Sequence, residues 1–146
     1  MHLLHLMQGK GQGGIIMSKR VLCVDDDPDI RLFVVTVLEE NGYTPLTATN
    51  GEEGLEIIKK ERPDLVTLDV LMPRQSGIKM YRELRTDDSL KNIPVILLSG
   101  IARRTFLRSQ EALTEFGSEN VPEPEAYMEK PVEPEELAEM IKKVIG

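Results

Sequence analysis

An α/β fold, with a parallel sheet covered by helices on both faces, is the class this sequence predicts. Three observations carry it. Five short apolar runs alternate with segments whose apolar residues recur at helical spacing, the pattern of repeated strand–helix units. Runs such as Val21-Leu22-Cys23-Val24 and Val95-Ile96-Leu97-Leu98 hold no polar residue that would give a strand one wet face, as expected of parallel strands buried on both sides. Polar residues then follow the runs: Asp25, Asp26 and Asp27 after the first, Asp69 after the third, Ser99 after the fourth and Lys130 after the fifth. In open parallel sheets, functional groups gather beyond the carboxyl ends of the strands, so these residues are expected to share one crevice.

Residues 21–24 form the first strand. Ile30, Phe33, Val34, Val37 and Leu38 then fall at i, i+3, i+4, i+7 and i+8, an amphipathic helix that Asn41-Gly42 ends. Residues 43–48 read as a second strand, and Pro45, which cannot donate to a ladder, places it at an edge. Asn50 with Glu53 opens a short helix through Lys60, closed off by Pro63. Residues 65–68 are a third, buried strand, and Ser76 opens a helix carrying Ile78, Tyr81 and Leu84. The fourth strand spans 93–98, and a helix over 102–116 follows, stopped by Gly117. Residues 126–129 make a short fifth strand. The last helix starts near Glu133-Pro134 and buries Leu137, Met140, Ile141, Val144 and Ile145. Parallel neighbours joined through helices imply right-handed crossovers.

At 146 residues the chain suits one domain with its own core. Its formal net charge of −7 argues against nucleic acid or an anionic membrane as the main partner. No stretch approaches the roughly 18 apolar residues that would span a bilayer, so a cytoplasmic protein is expected. The single cysteine, Cys23, excludes an intramolecular disulfide and reads as a small buried hydrophobe. Residues 1–17 look different, with Gly9, Gly11, Gly13 and Gly14 breaking any regular structure. They lack the cationic start of a secretory signal, and His2 and His5 have no nearby carboxylate or cysteine with which to bind metal. We expect residues 1–17 to be a disordered or non-native extension, with translation starting at Met17 and Gly13-Gly14 encoded by a ribosome-binding site. The domain proper is then expected over residues 18–146.

The triple aspartate at 25–27 is an electrostatic oddity. Like charges crowded at the end of a core strand raise one another's pKa and gain nothing for the fold. A divalent cation would offset that cost, because hard cations prefer oxygen ligands. Capping of the next helix is the other reading, since Asp suits an N-cap and Pro28 the first helical turn. The two are compatible.

Taken as an ordered set, Val24-Asp25-Asp26-Asp27-Pro28, Asp69-Val70-Leu71-Met72-Pro73 with Gly77, Leu98-Ser99-Gly100 and Lys130-Pro131 resemble the receiver domain of two-component response regulators. The resemblance covers roughly residues 18–146. It implies a flavodoxin-like (βα)5 fold with strand order 2-1-3-4-5, which puts the second strand, with Pro45, at an edge. It further implies that Asp69 is the phosphoacceptor, attacking a phosphohistidine on a sensor histidine kinase or a histidine phosphotransfer protein. Mg²⁺ would be held by Asp26 and Asp69, by the backbone carbonyl of Leu71, and by Asp25 through water. Asp27 is then left to cap the helix. Lys130 and the Ser99 hydroxyl would each meet a phosphoryl oxygen, a cis peptide would join Lys130 to Pro131, and Tyr127 would swing with Ser99 as a switch. Such a module is no turnover enzyme; it catalyses its own phosphorylation and slow dephosphorylation, and docks a protein target through the face of its fourth helix, fifth strand and fifth helix.

Departures narrow the expectation. Ser99 and Lys130 lie 31 positions apart, several more than the family usually shows, and the excess falls in the acidic, proline-punctuated segment 117–125. That segment either changes which partners dock or is a tolerated surface insertion. Leu71 and Ile101 are apolar where they would flank the site, which suggests restricted water attack on an acyl phosphate. Because the sequence ends just after the last helix, a stand-alone receiver is expected, acting as a diffusible regulator or as a shuttle in a multi-step phosphorelay. A haloacid-dehalogenase-like phosphohydrolase also uses a strand-end Asp nucleophile, but it wants a second Asp where Leu71 stands.

Overall fold

The structure is a computed structural model that describes residues 18–100 and 121–146. Expectations for residues 1–17, for the helix over 102–116, for Ile101 and for the first half of the 117–125 segment lie outside the described residues. The elements run β1 (Arg20–Val24), α1 (Pro28–Glu40), β2 (Thr44–Ala48), α2 (Gly51–Glu61), β3 (Leu65–Leu68), a 3-10 turn (Pro73–Gln75), α3 (Ser76–Thr86), β4 (Val95–Ser99), β5 (Ala126–Glu129) and α4 (Pro134–Ile145). All strand pairs are parallel, in the order β2-β1-β3-β4-β5. The flavodoxin-like order implied by the sequence is therefore present, with Pro45 on the edge strand opposite Val21.

Alternation along the buried strands assigns the layers. Leu22, Val24, Val66, Leu68, Val95 and Leu97 point to one face, where α2 and α3 cover them through Ile58, Met80, Tyr81 and Leu84. Val21, Cys23, Leu65, Ile96 and Leu98 point to the other, against Val34, Val37 and Leu38 of α1 and Leu137 and Ile141 of α4. Cys23 is buried as expected, and burial pushes its thiol up to about 12, which removes it as a nucleophile at neutral pH. Among the described residues no helix is long and apolar enough to cross a membrane.

Several boundaries shift by a residue or two from expectation, and two of the shifts have a clear cause. β4 starts at Val95 rather than Ile93. Pro94 has no donor, the Ile93 amide closes a turn onto the Leu90 carbonyl at 3.0 Å, and the Ile93 carbonyl accepts from Arg85 at 2.9 Å. β2 starts at Thr44 because the Tyr43 amide donates to the Leu38 carbonyl, 2.9 Å, at the end of α1. Gly42 lies between them at φ 84, a left-handed turn suited to glycine.

The start of α3 approaches the end of β3, and the start of α2 approaches α3, more closely than side chains would permit. A Cβ on Gly77, in the first turn of α3, would stand 2.4 Å from the Asp69 carbonyl oxygen and 2.7 Å from the Val70 Cα. A Cβ on Gly51, which opens α2, would stand 2.1 Å from the Ser76 carbonyl oxygen. These are backbone atoms and cannot rotate away. Gly77→Ala is expected to lower the free energy of unfolding by about 1–3 kcal/mol, the cost of overpacking. Urea denaturation measures it, and a midpoint and slope equal to the parent's would show that α3 does not press on the end of β3.

Candidate functional site

β1 ends by dividing its three carboxylates. Asp25 is buried and continues the sheet, its amide donating to the Ala48 carbonyl at 3.1 Å. Its Oδ1 accepts from the Asp27 amide at 2.9 Å. Asp27 turns the other way and caps α1, its Oδ1 accepting from the Asp29 amide at 2.8 Å with Pro28 in the first turn. Asp26, between them, is exposed at the rim. Asp27 therefore realises the capping reading of the triple aspartate, while Asp25 and Asp26 are left beside Asp69.

Asp69 arrives from the neighbouring strand. Its amide donates to the Val24 carbonyl at 3.0 Å, which sets it beside Asp25. Asp69 Oδ1 accepts from the Leu71 amide at 2.9 Å and from the Ser99 hydroxyl at 3.0 Å. Ser99 is fully buried at the end of β4. Lys130 follows β5, its amide donating to the Ser99 carbonyl at 2.9 Å, and a cis peptide joins it to Pro131. Its ammonium donates to Asp25 Oδ2 at 2.8 Å and to Asp69 Oδ2 at 3.4 Å. Four strand ends thus meet at one point, as the placement of polar residues after the apolar runs implied.

The charges do not balance. Asp25, Asp26 and Asp69 each place a carboxylate oxygen within 4.8 Å of the others, and among the described residues only the Lys130 ammonium forms an ion pair with any of them. Burial raises the pKa of Asp25, and the nearby charge of Asp69 adds to that, against the lowering pull of Lys130 and the Asp27 amide. Burial works against the charge of Lys130, yet the hydrogen bond to Asp25 and the charges of Asp69 and Asp25 outweigh it and raise its pKa. Three hard oxygen donors facing one ammonium, with Asp26 open to solvent, fit a divalent cation that keeps several waters.

The remaining expected residues surround this point. The Leu71 side chain is 61% exposed, while its amide donates to Asp69 Oδ1. Tyr127, on β5, packs against the α2–α3 side of the core. Two arginines near the site were not singled out from sequence. The Arg31 guanidinium donates to the Asp25 carbonyl at 2.7 Å from the first turns of α1. Its six-residue offset from Asp25 gives no motif to read, only a cation on the helix after the carboxylates. Arg74, at φ 60 in the turn after Pro73, lines a cavity of about 270 Å³ with Asp26, Thr49 and Asn50.

Comparison with known proteins agrees with this geometry. Residues 21–142 match the model of the response regulator receiver domain. The polar-differentiation response regulator DivK of Brucella anthropi is 32% identical over 131 residues, covering 89% of this chain and 98% of that protein. The probable transcriptional regulator ycf27 of Porphyra purpurea is 35% identical over 128 residues; the match covers 88% of this chain and 48% of ycf27, so the chain spans about half the length of that relative. Among solved structures, the Vibrio cholerae chemotaxis protein CheY4 superposes with a TM-score of 0.74 at 27% identity, covering 88% of this chain and 99% of that one. Family match, strand order and the meeting of strand-end residues lead to one conclusion: the chain belongs to the response regulator receiver domain family of two-component signal transduction.

Proposed function

We propose that Asp69 accepts a phosphoryl group from a phosphohistidine on a histidine kinase or histidine phosphotransfer protein, and that the phosphorylated chain then signals by protein–protein contact. Receiver domains are signalling modules that bind Mg²⁺ at an acidic pocket and interact with histidine kinases and downstream targets. One observation carries the reading onto this chain: the Asp69 carboxylate lies at the meeting point of Ser99, Lys130, Asp25 and Asp26.

Asp26 and Asp69, the Leu71 carbonyl, and Asp25 through water would hold Mg²⁺, which supplies positive charge where two anions must meet. An Asp69 oxygen attacks phosphorus, the P–N bond to the imidazole breaks, and the bonding pair returns to the ring nitrogen. Lys130, already 3.4 Å from Asp69, pairs with a phosphoryl oxygen. Ser99 now donates to Asp69 Oδ1, and its hydroxyl turns to a second phosphoryl oxygen. Tyr127 follows that movement inward and carries it to the surface of β5 and the helices beside it. Leu71, two residues after the acceptor and apolar, gives an attacking water no polar partner.

Four outcomes follow. Asp69→Asn abolishes labelling by a phosphorylated kinase, read as acid-labile, alkali-labile phosphate; label at the parent level means that another residue is the acceptor. Onward passage of that label to a histidine phosphotransfer protein identifies a relay shuttle, whereas target binding without transfer identifies a diffusible regulator. Added Mg²⁺ raises the melting temperature, by the equivalent of about 2.7 kcal/mol at a hundred times its Kd. Asp26→Asn reduces that shift in a calorimetric scan, and an undiminished shift removes Asp26 from the ligand set. Leu71→Asn shortens the half-life of the acyl phosphate several-fold in saturating Mg²⁺; equal half-lives show that the leucine does not restrict water.

A further inference from the structure

Arg85, on α3, is the one buried basic residue among the described residues, and it stands at the opposite end of the sheet from the acceptor site. Its side chain is 3% exposed and its hydrogen bonds reach three separate segments. Nη1 donates to the carbonyls of Lys91 and Ile93, each at 2.9 Å, in the turn that leads into β4. Nε donates to the Tyr81 hydroxyl at 3.3 Å, and that hydroxyl donates to the Pro122 carbonyl. Nη2 donates to Glu125 Oε1 at 2.5 Å, just before β5.

Glu125 is bound twice to β4. Its amide donates to the Val95 carbonyl at 3.0 Å, and its Oε1 accepts from the Val95 amide at 2.7 Å. In a parallel ladder that amide would seek a backbone carbonyl further back in the neighbouring strand. Pro122 and Pro124 interrupt the chain there, and the Glu125 side chain supplies the acceptor instead. The register of β5 needs such help. β5 has four residues, each half-buried or exposed, and pairs only with β4, whose residues are all buried. A strand with so little burial specifies its own register weakly. A slip of one rung, two residues, would move Lys130 by roughly 6–7 Å, well out of reach of Asp25 and Asp69.

We propose that Arg85 and Glu125 are positioning residues for phosphoryl transfer: their ion pair sets β5 against β4 and so delivers the Lys130 ammonium to the acceptor site. This inference rests on the function proposed above, in that it acts through Lys130. It also gives the described half of the 117–125 segment a role within the fold: it is a tether, held to α3 by Arg85 and Tyr81.

The test is a double-mutant cycle in the full chain with acetyl phosphate and Mg²⁺ as the phosphodonor. Glu125→Ala is expected to lower the maximal rate of Asp69 phosphorylation about tenfold, with the half-saturating donor concentration unchanged. In a Lys130→Ala background the same substitution should cost less than about twofold, because the group being positioned is absent. A tenfold loss in both backgrounds overturns the inference, since a general loss of structure would slow both. Glu125→Gln keeps an oxygen for Val95 and Arg85 and should recover most of the rate; recovery no better than alanine also overturns it. Should Glu125→Ala not fold, Arg85→Lys, which cannot hold Glu125 and the turn before β4 together, takes its place in the same cycle. Asp69→Asn separates the two levels: label persisting there refutes the acceptor reading itself, whereas label lost there with additive effects elsewhere refutes only the positioning.

Discussion

The ammonium of Lys130 is the contact on which the rest of this structure turns. It bridges Asp25 and Asp69 at 2.8 and 3.4 Å, and so ties the ends of β1, β3 and β5 into one point. Without a cation there, two buried carboxylates on adjacent strands would repel each other in a poorly solvated crevice. Strand order makes the arrangement possible, because β1 and β3 are neighbours and their ends adjoin where the sheet order reverses. Helix placement then serves it: Gly77 lets α3 start close against the end of β3, and Gly51 lets α2 start close against α3. A site whose charge is only partly neutralised at rest is ready for a cation and an anion to arrive together.

Much of this was legible in the residues. Apolar runs ending in Asp25, Asp69, Ser99 and Lys130 identified both the sheet and its functional edge, because strand termini and crevice are the same place in a parallel sheet. Pro45 read correctly as an edge marker, and the Lys130–Pro131 cis bond implied by the family resemblance is present. The triple aspartate could not be divided from sequence alone. Only the Asp25–Ala48 ladder bond and the Asp27–Asp29 cap show which carboxylate faces inward.

Long-range polar contacts were invisible for a different reason. Arg85 sits on an amphipathic helix where an arginine reads as solvated, and Glu125 sits in an acidic, proline-rich stretch that reads as loop. Nothing local announces that a guanidinium will be buried to hold a carboxylate 40 positions away. The early start assigned to β4 failed for the same cause, since the Ile93 carbonyl is claimed by that guanidinium and Pro94 has no donor. Burial of a charge is decided by what the chain brings opposite it, and periodicity carries no record of that.

Cys23 has a practical bearing beyond the core it fills. It is the chain's single cysteine, and burial in the core pushes its thiol far above the range in which a cysteine is nucleophilic at neutral pH. The buried thiol is therefore a poor target for maleimides and iodoacetamides in the folded protein. A reporter cysteine placed on the surface of β5 or α4 can be tagged alone, with the natural residue left in place. Fluorescent or spin labels there would report on that surface without altering the packing between β1 and α1.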